Sequence, residues 1–246
     1  MVNLTKQVLQ KPKKTVIISL GGSLIVPDKI NISYLKQFRK FINSYIKQGY
    51  KFVIVCGGGH TAREYINAAV KIAGEEKSLN NELDLIGIKA TFLNAELVKS
   101  IFYNYNKKIV FPEIITNPDK TPNKLTKKIY VIAGWKPGFS SDYDAVYYAI
   151  KFKSDTVINL TNVDHVYSSD PRKNKSAKPL PSLTWKDYLG IVGNKWQAGD
   201  NFPFDPVASK LASKHNIKVY IIKGTLLTQL RNILEQKHFK GTLLHN

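Results

Sequence analysis

The stretch Phe52-Val53-Ile54-Val55-Cys56-Gly57-Gly58-Gly59 decides the fold of this chain. Five consecutive apolar residues predict a buried β-strand, and the triple glycine after them predicts a turn at the end of that strand. From Thr61 onward the sequence reads as a helix. A strand, a glycine turn and a helix in this order are the repeating unit of an α/β protein.

The same arrangement occurs upstream of this stretch. The apolar run Val16 to Leu20 (VIISL) is followed by the turn Gly21-Gly22-Ser23. Apolar residues then recur at helical spacing between Tyr34 and Gln48, and Gly49 ends the pattern. Strands that alternate with helices in this way predict a parallel sheet with right-handed crossovers.

The rest of the chain continues the alternation. A longer helix is predicted from Ser78 to Tyr105, and the segment Pro112 to Lys128 is loop-rich. We expect strands at Ile129–Ala133, Thr156–Leu160 and Lys218–Ile222, helices at Asp144–Phe152, Pro206–His215 and Leu226–Gln236, a hairpin with a loop within Asn162–Pro181, and a last strand at Gly241–Leu244. The prediction is one α/β domain over residues 1–246, with lobes at 14–140 and 141–246.

Composition limits the class of protein. Apolar residues make up 43% of the chain, which is enough for a sizeable core. Cys56 is the single cysteine, so a disulfide framework is excluded and a reducing compartment fits. The segment Met1 to Lys14 is polar and lysine-rich, unlike a secretory signal. No apolar run has the roughly 20 residues of a membrane helix. We expect a soluble, cytoplasmic protein with no membrane partner.

The formal charge of +19, from 37 basic and 18 acidic residues, is the unusual number. It fits a nucleic-acid binder, or a lysine-rich surface combined with sites for anionic substrates. The lysines are scattered, and no zinc finger, RNP-like motif or helix-turn-helix pattern accompanies them. We therefore do not expect a nucleic-acid partner.

Three predicted strands end in glycine: at Gly21-Gly22, at Gly57-Gly58-Gly59, and at Gly134 with Gly138 close behind. Ligands of parallel α/β sheets bind beyond the carboxyl ends of the strands. Glycine allows backbone N–H groups to approach an anion there. A single turn of this kind can be purely structural, but three at one sheet edge favour phosphate binding. The Walker-type phosphate loop and the Rossmann glycine motif are both absent.

Charged side chains near these turns each allow two interpretations. Arg63 follows Gly59 by one helical turn and is either a phosphate ligand or a surface residue. Asp84 either starts a helix or binds a hydroxyl group. Asp142 and Asp144 either cap a helix or order phosphate-binding cations. Lys210 either extends into solvent or stabilises a transferring phosphoryl group.

The order and spacing of several segments together resemble the amino acid kinase superfamily, and within it the archaeal-type UMP kinases. The resemblance runs from about Lys14 to the end of the chain. The segments are Gly57–Arg63, Asp84–Ile88 with Ala90-Thr91 and Leu93–Ala95, Lys136–Gly138, Asp144–Val146, Thr161–Pro171 and Asp205–Lys210.

This resemblance implies a three-layer αβα sandwich with a mainly parallel central sheet. It also implies an enzyme that transfers the γ-phosphoryl group of ATP, as Mg-ATP, to UMP. It also implies a homo-oligomer, a hexamer in the family. The implied UMP site consists of Gly57, Gly58, Gly59, Arg63, Asp84, Ser140 and Ser141. The implied catalytic residues are Gly21, Gly22, Ser23, Asp144 and Lys210, and the implied ATP site consists of Thr161, Asn162, Asp164, Tyr167 and Asp170. No residue is implied as a direct metal ligand.

Three positions depart from the family pattern. Ser19 stands where many members have a lysine, so another cation must carry more charge. The segment Ser140 to Asp144 is two residues longer than usual, which leaves either Asp142 or Asp144 as the family aspartate; the Asp-Ala-Val sequence favours Asp144. His165 replaces a usual glycine in the ATP-site turn.

Two other functions remain open. Isopentenyl phosphate kinases carry a histidine a few residues after the triple glycine, whereas here His60 comes earlier and Arg63 follows. A non-catalytic protein that stores oxyanions or binds nucleotides on the same fold is compatible with Ser19 and with the positive charge. Fold alone does not decide between these functions.

Overall fold

A seven-stranded sheet forms the centre of the protein, whose structure is a computed structural model describing residues 15–74, 79–193 and 202–246. In chain order its strands are β1 (Thr15–Leu20), β2 (Lys51–Cys56), β3 (Ile129–Ile132), β4 (Thr156–Thr161), β7 (Ser182–Thr184), β8 (Lys218–Lys223) and β9 (Thr242–His245). Their order across the sheet is β3-β2-β1-β4-β8-β9-β7. The strands β5 (Val166–Tyr167) and β6 (Pro179–Leu180) form a separate antiparallel pair.

The first five strands across the sheet are all parallel, because each is reached through a helical crossover. β9 runs antiparallel to β8, and β7 runs parallel to β9. The helices are α1 (Gly22–Ile25), α2 (Ile32–Ile46), α3 (Gly59–Ala73), α4 (Asn80–Tyr103), α5 (Ser141–Lys151), α6 (Trp185–Val192), α7 (Pro206–Lys214) and α8 (Leu227–Leu234).

Helices cover both faces of the sheet, so the core is divided into two apolar clusters. Successive residues of a strand point to opposite faces. Ile18 accordingly packs with Phe38 of α2 and Phe102 of α4 on one face. Ile17 packs on the other face with residues such as Tyr148 of α5. The prediction of an αβα sandwich with a mainly parallel sheet is confirmed.

Three of these elements, α1, α6 and β7, were not predicted, and α5 begins three residues earlier than predicted. α5 starts at Ser141 rather than Asp144, because the Ser140 hydroxyl accepts a hydrogen bond from the Tyr143 N–H and caps the helix. α6 is capped by Thr184, and neither it nor β7 was predicted; α1 forms where the sequence predicted only a turn. The hairpin expected after Asn162 is the β5–β6 pair.

The sheet is continuous across the proposed lobe boundary, since β1 pairs with both β2 and β4. The division into lobes at 14–140 and 141–246 therefore stays a prediction. The interpretation of Met1 to Lys14, and the predicted helix start at Ser78, lie outside the described residues. Within those residues, no helix is long and apolar enough to cross a membrane.

Candidate active site

Two of the predicted glycine turns pack directly against each other. A Cβ atom on Gly22 would lie 2.0 Å from the Gly59 nitrogen, and one on Gly57 would lie 2.6 Å from the Gly22 nitrogen. The Gly57 N–H donates to the Leu20 carbonyl at 3.0 Å, which fixes the contact between the turns. Gly59 also has a φ of +68°, which disfavours other residues. Glycine is therefore required here by the close approach of two main chains.

The two turns open onto a cleft of about 1210 Å³ at the carboxyl ends of the parallel strands. Most of the predicted site residues line it: Gly21, Gly22, Ser23, Gly57, Gly58, Gly59, Arg63, Asp84, Ser140, Ser141, Thr161, Asn162, Tyr167 and Asp170. The topology explains the convergence, because β1, β2 and β4 are adjacent and each delivers its following turn to this edge.

At one end of the cleft, α3 and α4 contribute Arg63 and Asp84. Arg63 is half-buried and makes no ion pair with the described residues. The Asp84 carboxylate accepts a hydrogen bond of 2.6 Å from the Gly138 N–H, which links α4 to the loop after β3. The sequence allowed Asp84 to be either a helix-start residue or a carboxylate that binds a hydroxyl group. In the structure, Asp84 lies in the second turn of α4 and lines the cleft.

Two side chains of α4 that were given no role in the sequence analysis hold the glycine turns in place. The Asn94 amide donates to the carbonyl oxygens of Gly57 and Gly58 at 2.8 and 3.0 Å. The Thr91 hydroxyl accepts a hydrogen bond from the Gly134 N–H at 2.8 Å. Both residues are buried, and their helical spacing of three positions puts them on one face of α4. That spacing, and the place of both residues in the segments Ala90-Thr91 and Leu93–Ala95 of the family resemblance, are the sequence signals that single them out.

The structure places Asp142, rather than Asp144, at the cleft. Asp142 lines the cleft, and its carboxylate accepts hydrogen bonds from the Ser19 hydroxyl at 2.9 Å and from the Asp205 N–H at 3.2 Å. Asp144 is 0% exposed and accepts a hydrogen bond from the Trp135 N–H at 3.2 Å. The two residues differ because α5 begins at Ser141, which turns Asp142 towards β1 and Asp144 into the core. The preference for Asp144 as the family aspartate stays a prediction, while Asp142 is the one of the two that lines the cleft.

Both of these carboxyl groups lie in surroundings that disfavour charge. Burial raises the pKa of Asp142 to about 7, and the neighbouring Asp205 carboxylate adds to this rise, while the hydrogen bond from Ser19 opposes it. Burial also raises the pKa of Asp144 to about 8, against the smaller effect of the Trp135 N–H. Asp205, at the start of α7, caps that helix and accepts a hydrogen bond from the Ser140 hydroxyl. Ser19, Asp142, Asp205 and Ser140 thus form one connected group.

The turn after β4 forms the other end of the cleft. Asp164 does not line the cleft; its carboxylate accepts a hydrogen bond from the Tyr167 hydroxyl at 2.9 Å and pairs with the Lys240 ammonium at 3.2 Å. These contacts lower the pKa of Asp164 against the opposing effect of burial. Asp164 therefore supports the turn, while Thr161, Asn162, Tyr167 and Asp170 face the cleft.

Lys210 is not brought to the cleft either. It is exposed on α7, whereas the neighbouring Ser209 is buried. On a helix, one position corresponds to a rotation of about 100°, which allows Lys210 to be exposed next to a buried residue. Lys136, in the loop after β3, lies with its ammonium 4.1 Å above the Trp135 ring and 5.2 Å above the Phe139 ring.

The protein is thus an αβα sandwich with a cleft built on two touching glycine turns at the carboxyl ends of its parallel strands. The sequence model of the Amino acid kinase family matches residues 14–223, and the chain belongs to this family.

Individual members of the family are similar to this chain over most of its length. A uridylate kinase from Pyrococcus abyssi is 31% identical over 229 residues, covering 92% of this chain and 97% of its own length. A uridylate kinase from Archaeoglobus fulgidus is 37% identical over 211 residues, covering 85% of this chain and 91% of its own. The crystal structure of uridylate kinase from Archaeoglobus fulgidus superposes with a TM-score of 0.77 at 32% identity, covering 94% of this chain and 100% of that chain.

Proposed function

We propose that this protein transfers the γ-phosphoryl group of ATP to UMP and forms UDP. The observation that carries the proposal is the direct contact of two glycine turns at the floor of one cleft, with Arg63 at one end and the β4 turn at the other. Such a cleft can hold two phosphorylated ligands with their phosphates meeting at the glycines. The family and the uridylate kinase relatives support the choice of reaction.

The acceptor UMP lies at the end formed by α3 and α4. The N–H groups of Gly57, Gly58 and Gly59 surround its phosphate, with the Arg63 guanidinium as the paired cation. The Asp84 carboxylate binds the ribose hydroxyls, exchanging its hydrogen bond with Gly138 for one to the ligand. Ser140 and Ser141, at the start of α5, lie beside the pyrimidine.

ATP occupies the other end, with Thr161, Asn162, Tyr167 and Asp170 around its ribose and base and with Asp164 holding the turn. The attacking atom is a phosphate oxygen of UMP, which is already ionised, so no side chain has to remove a proton. Catalysis then rests on positioning and electrostatic stabilisation. The N–H groups of the Gly21-Gly22-Ser23 turn contact the transferred phosphoryl group.

The charged residues around the transferred group take different roles from those that the sequence suggested. Asp142, fixed by Ser19 and Asp205, takes the organising role that had been given to Asp144. Lys210 is exposed and outside the cleft, so we assign it a long-range electrostatic effect rather than contact with the phosphoryl group.

The residues present also fit the use of Mg²⁺. Magnesium ions in kinases are commonly held by one or two carboxylates together with the substrate phosphates. Asp142 places such a carboxylate at the cleft, and the described residues contain no group of three or more metal-ligating side chains. When bound, the ion would neutralise charge on the phosphate oxygens.

We also propose that the protein is a homo-oligomer, as the family resemblance implies. Large apolar side chains are exposed on two adjacent helices, Tyr65 and Ile72 on α3 and Leu85, Phe92 and Leu93 on α4. We call these five residues the α3–α4 face. A second copy of the chain is its proposed partner, since association would remove this apolar surface from water.

A coupled ADP-release assay tests the reaction, with ATP and Mg²⁺ and with UMP, CMP, dUMP, isopentenyl phosphate, acetylglutamate or no acceptor. We expect turnover that strongly prefers UMP. A preference for isopentenyl phosphate would show that this compound, rather than UMP, is the acceptor. Measurable ATP binding without turnover of any acceptor would instead indicate a nucleotide- or oxyanion-binding protein on the same fold.

A further inference from the structure

His165 lies in the β4 turn and lines the cleft, yet its imidazole makes no hydrogen bond with the described residues. The residue is 8% exposed, and its ring packs edge-on against Tyr167, with 6.2 Å between ring centroids. Nδ1 is fully enclosed and lies 3.6 Å from an Asp164 carboxylate oxygen, too far for a hydrogen bond. Buried polar groups of this kind are normally satisfied, so the bare imidazole requires an explanation.

The surroundings of His165 are held rigidly. The Val166 N–H donates to the Thr242 hydroxyl at 2.9 Å, and Lys240 pairs with Asp164, so the first residue of β9 and the segment before it hold the two sides of the turn. The imidazole is consequently set in place before any ligand arrives. A preset group costs less entropy on binding than one that must be ordered.

The position of Asp164 also determines what the imidazole can offer. In the neutral tautomer with the proton on Nδ1, the nitrogen that lies nearer to the Asp164 carboxylate, Nε2 is a hydrogen-bond acceptor. Nε2 is not enclosed as Nδ1 is.

We propose that His165 is a specificity-determining residue for the phosphoryl donor, accepting through Nε2 a hydrogen bond from the donor nucleotide. The proposal rests on the proposed kinase function, because it places ATP in the half of the cleft formed by the β4 turn. The recognised group is a hydrogen-bond donor, either a ribose hydroxyl or the exocyclic amine of adenine. In this tautomer Nε2 cannot pair with a phosphate oxygen, because both atoms are acceptors.

Two variants separate the contribution of the imidazole nitrogens from that of ring packing. His165→Phe keeps a flat ring that packs on Tyr167 and removes both nitrogens. His165→Gln keeps a hydrogen-bonding atom near the Nε2 position. His238→Gln, at an exposed histidine outside the cleft, is the matched control. Circular dichroism and thermal unfolding establish that each variant is folded.

Steady-state kinetics with ATP and UMP give the main result. We expect His165→Phe to raise the KM for ATP about fivefold or more, the usual effect of losing one neutral hydrogen bond. We expect the KM for UMP to stay unchanged and His165→Gln to recover part of the loss. An unchanged KM for ATP in His165→Phe, or equal changes in both KM values, would overturn the proposal.

Donor analogues distinguish the two groups. If the contact is to a ribose hydroxyl, 2′-deoxy-ATP or 3′-deoxy-ATP is a poorer donor for the wild type, and His165→Phe abolishes the difference. If the contact is to the amine, ITP shows this behaviour instead. No interaction between His165→Phe and any analogue would overturn the assignment of Nε2.

Calorimetric titration with ATP keeps the two proposals separable. ATP binding by a wild type that phosphorylates no acceptor would reject the kinase function but leave His165 testable through the binding constants of the variants. Absence of ATP binding would reject both proposals.

Discussion

Arg63 stands one helical turn after the triple glycine and is half-buried at the cleft wall. Its guanidinium makes no ion pair with the described residues, so it can pair fully with an acceptor phosphate. We expect Arg63→Ala to weaken UMP binding by about 2–4 kcal/mol, the cost of breaking a charge-assisted pair.

The measurement is the KM for UMP at saturating ATP, with Arg63→Lys as the matched variant that retains the charge but not the planar fork. A KM for UMP in Arg63→Ala equal to that of the wild type would remove this residue from the acceptor site. A selective rise in the KM for ATP would place it in the donor half instead.

Asp144 gives a prediction about stability and pH. Because burial raises its pKa to about 8 in the folded state, the folded protein keeps a proton that the unfolded chain releases near its ordinary pKa of 3.8. The free energy of unfolding therefore falls as pH rises from about 4 to about 8. Asp144→Asn cannot ionise, so we expect its stability to exceed that of the wild type increasingly towards pH 8, on the order of a few kcal/mol.

Urea unfolding at several pH values measures this difference, and Asp155→Asn, at an exposed position, serves as the control. A difference between wild type and Asp144→Asn that stays constant with pH would show that Asp144 does not hold a proton in the folded state.

The contact between the two glycine turns predicts that small additions there are costly. A Cβ at residue 22 would lie 2.0 Å from the Gly59 nitrogen, a backbone atom that cannot move without shifting the start of α3. We expect Gly22→Ala to reduce the free energy of unfolding by about 3 kcal/mol or more.

Gly190 provides the matched comparison, because it lies inside α6, in its last turn, and a Cβ there would meet nothing within 4 Å. Alanine favours helix by about 1 kcal/mol over glycine, so Gly190→Ala is expected to be neutral or stabilising. Thermal unfolding of both variants is the measurement, and equal melting temperatures would contradict the prediction.

Strands and helices with a clear period were predictable from the sequence, and the remaining features depend on tertiary contacts. β1, β2 and β4 are apolar runs that end in glycine or a polar turn, so both the sheet and the edge where the cleft opens could be predicted. α6 was missed because its eight residues, which include Gly190, are too short to establish a period. The choice between Asp142 and Asp144 depended on where α5 begins, and the Ser140 cap that decides it is visible only in the structure.

The site residues also divide into those that local sequence predicts and those that depend on tertiary contacts. Glycines and Arg63 are local to their strand ends, so their places in the cleft followed from topology. Whether Lys210 reaches the cleft depends on the rotation of α7 about its axis. The sequence of a nine-residue helix does not determine that rotation. The support of the glycine turns by Asn94 spans 37 positions in the chain, and no local pattern predicts such a contact.

The molecule as a whole carries a high positive charge together with the apolar α3–α4 face. We expect a homo-oligomer in solution at micromolar concentration, because the exposed fractions of Ile72 and Leu93 are 87% and 63%. Leu93→Glu is expected to shift the protein to smaller species, since a buried carboxylate without a partner is costly.

Size-exclusion chromatography with light scattering measures the mass of each species. Leu226→Glu, which changes an exposed leucine at the start of α8, is the control and is expected to leave the mass unchanged. A monomeric wild type, or a Leu93→Glu variant of wild-type mass, would contradict the proposed partner face.

The two glycine turns have a further consequence for how this protein can be altered. Where they touch, the wall of the site consists of main-chain atoms, which are the same in every amino acid. Exchanging side chains can therefore retune what enters either end of the cleft, while the passage between the ends keeps its width and its pattern of N–H groups. A designer who wants a different substrate pair has freedom at the two ends and almost none at the centre.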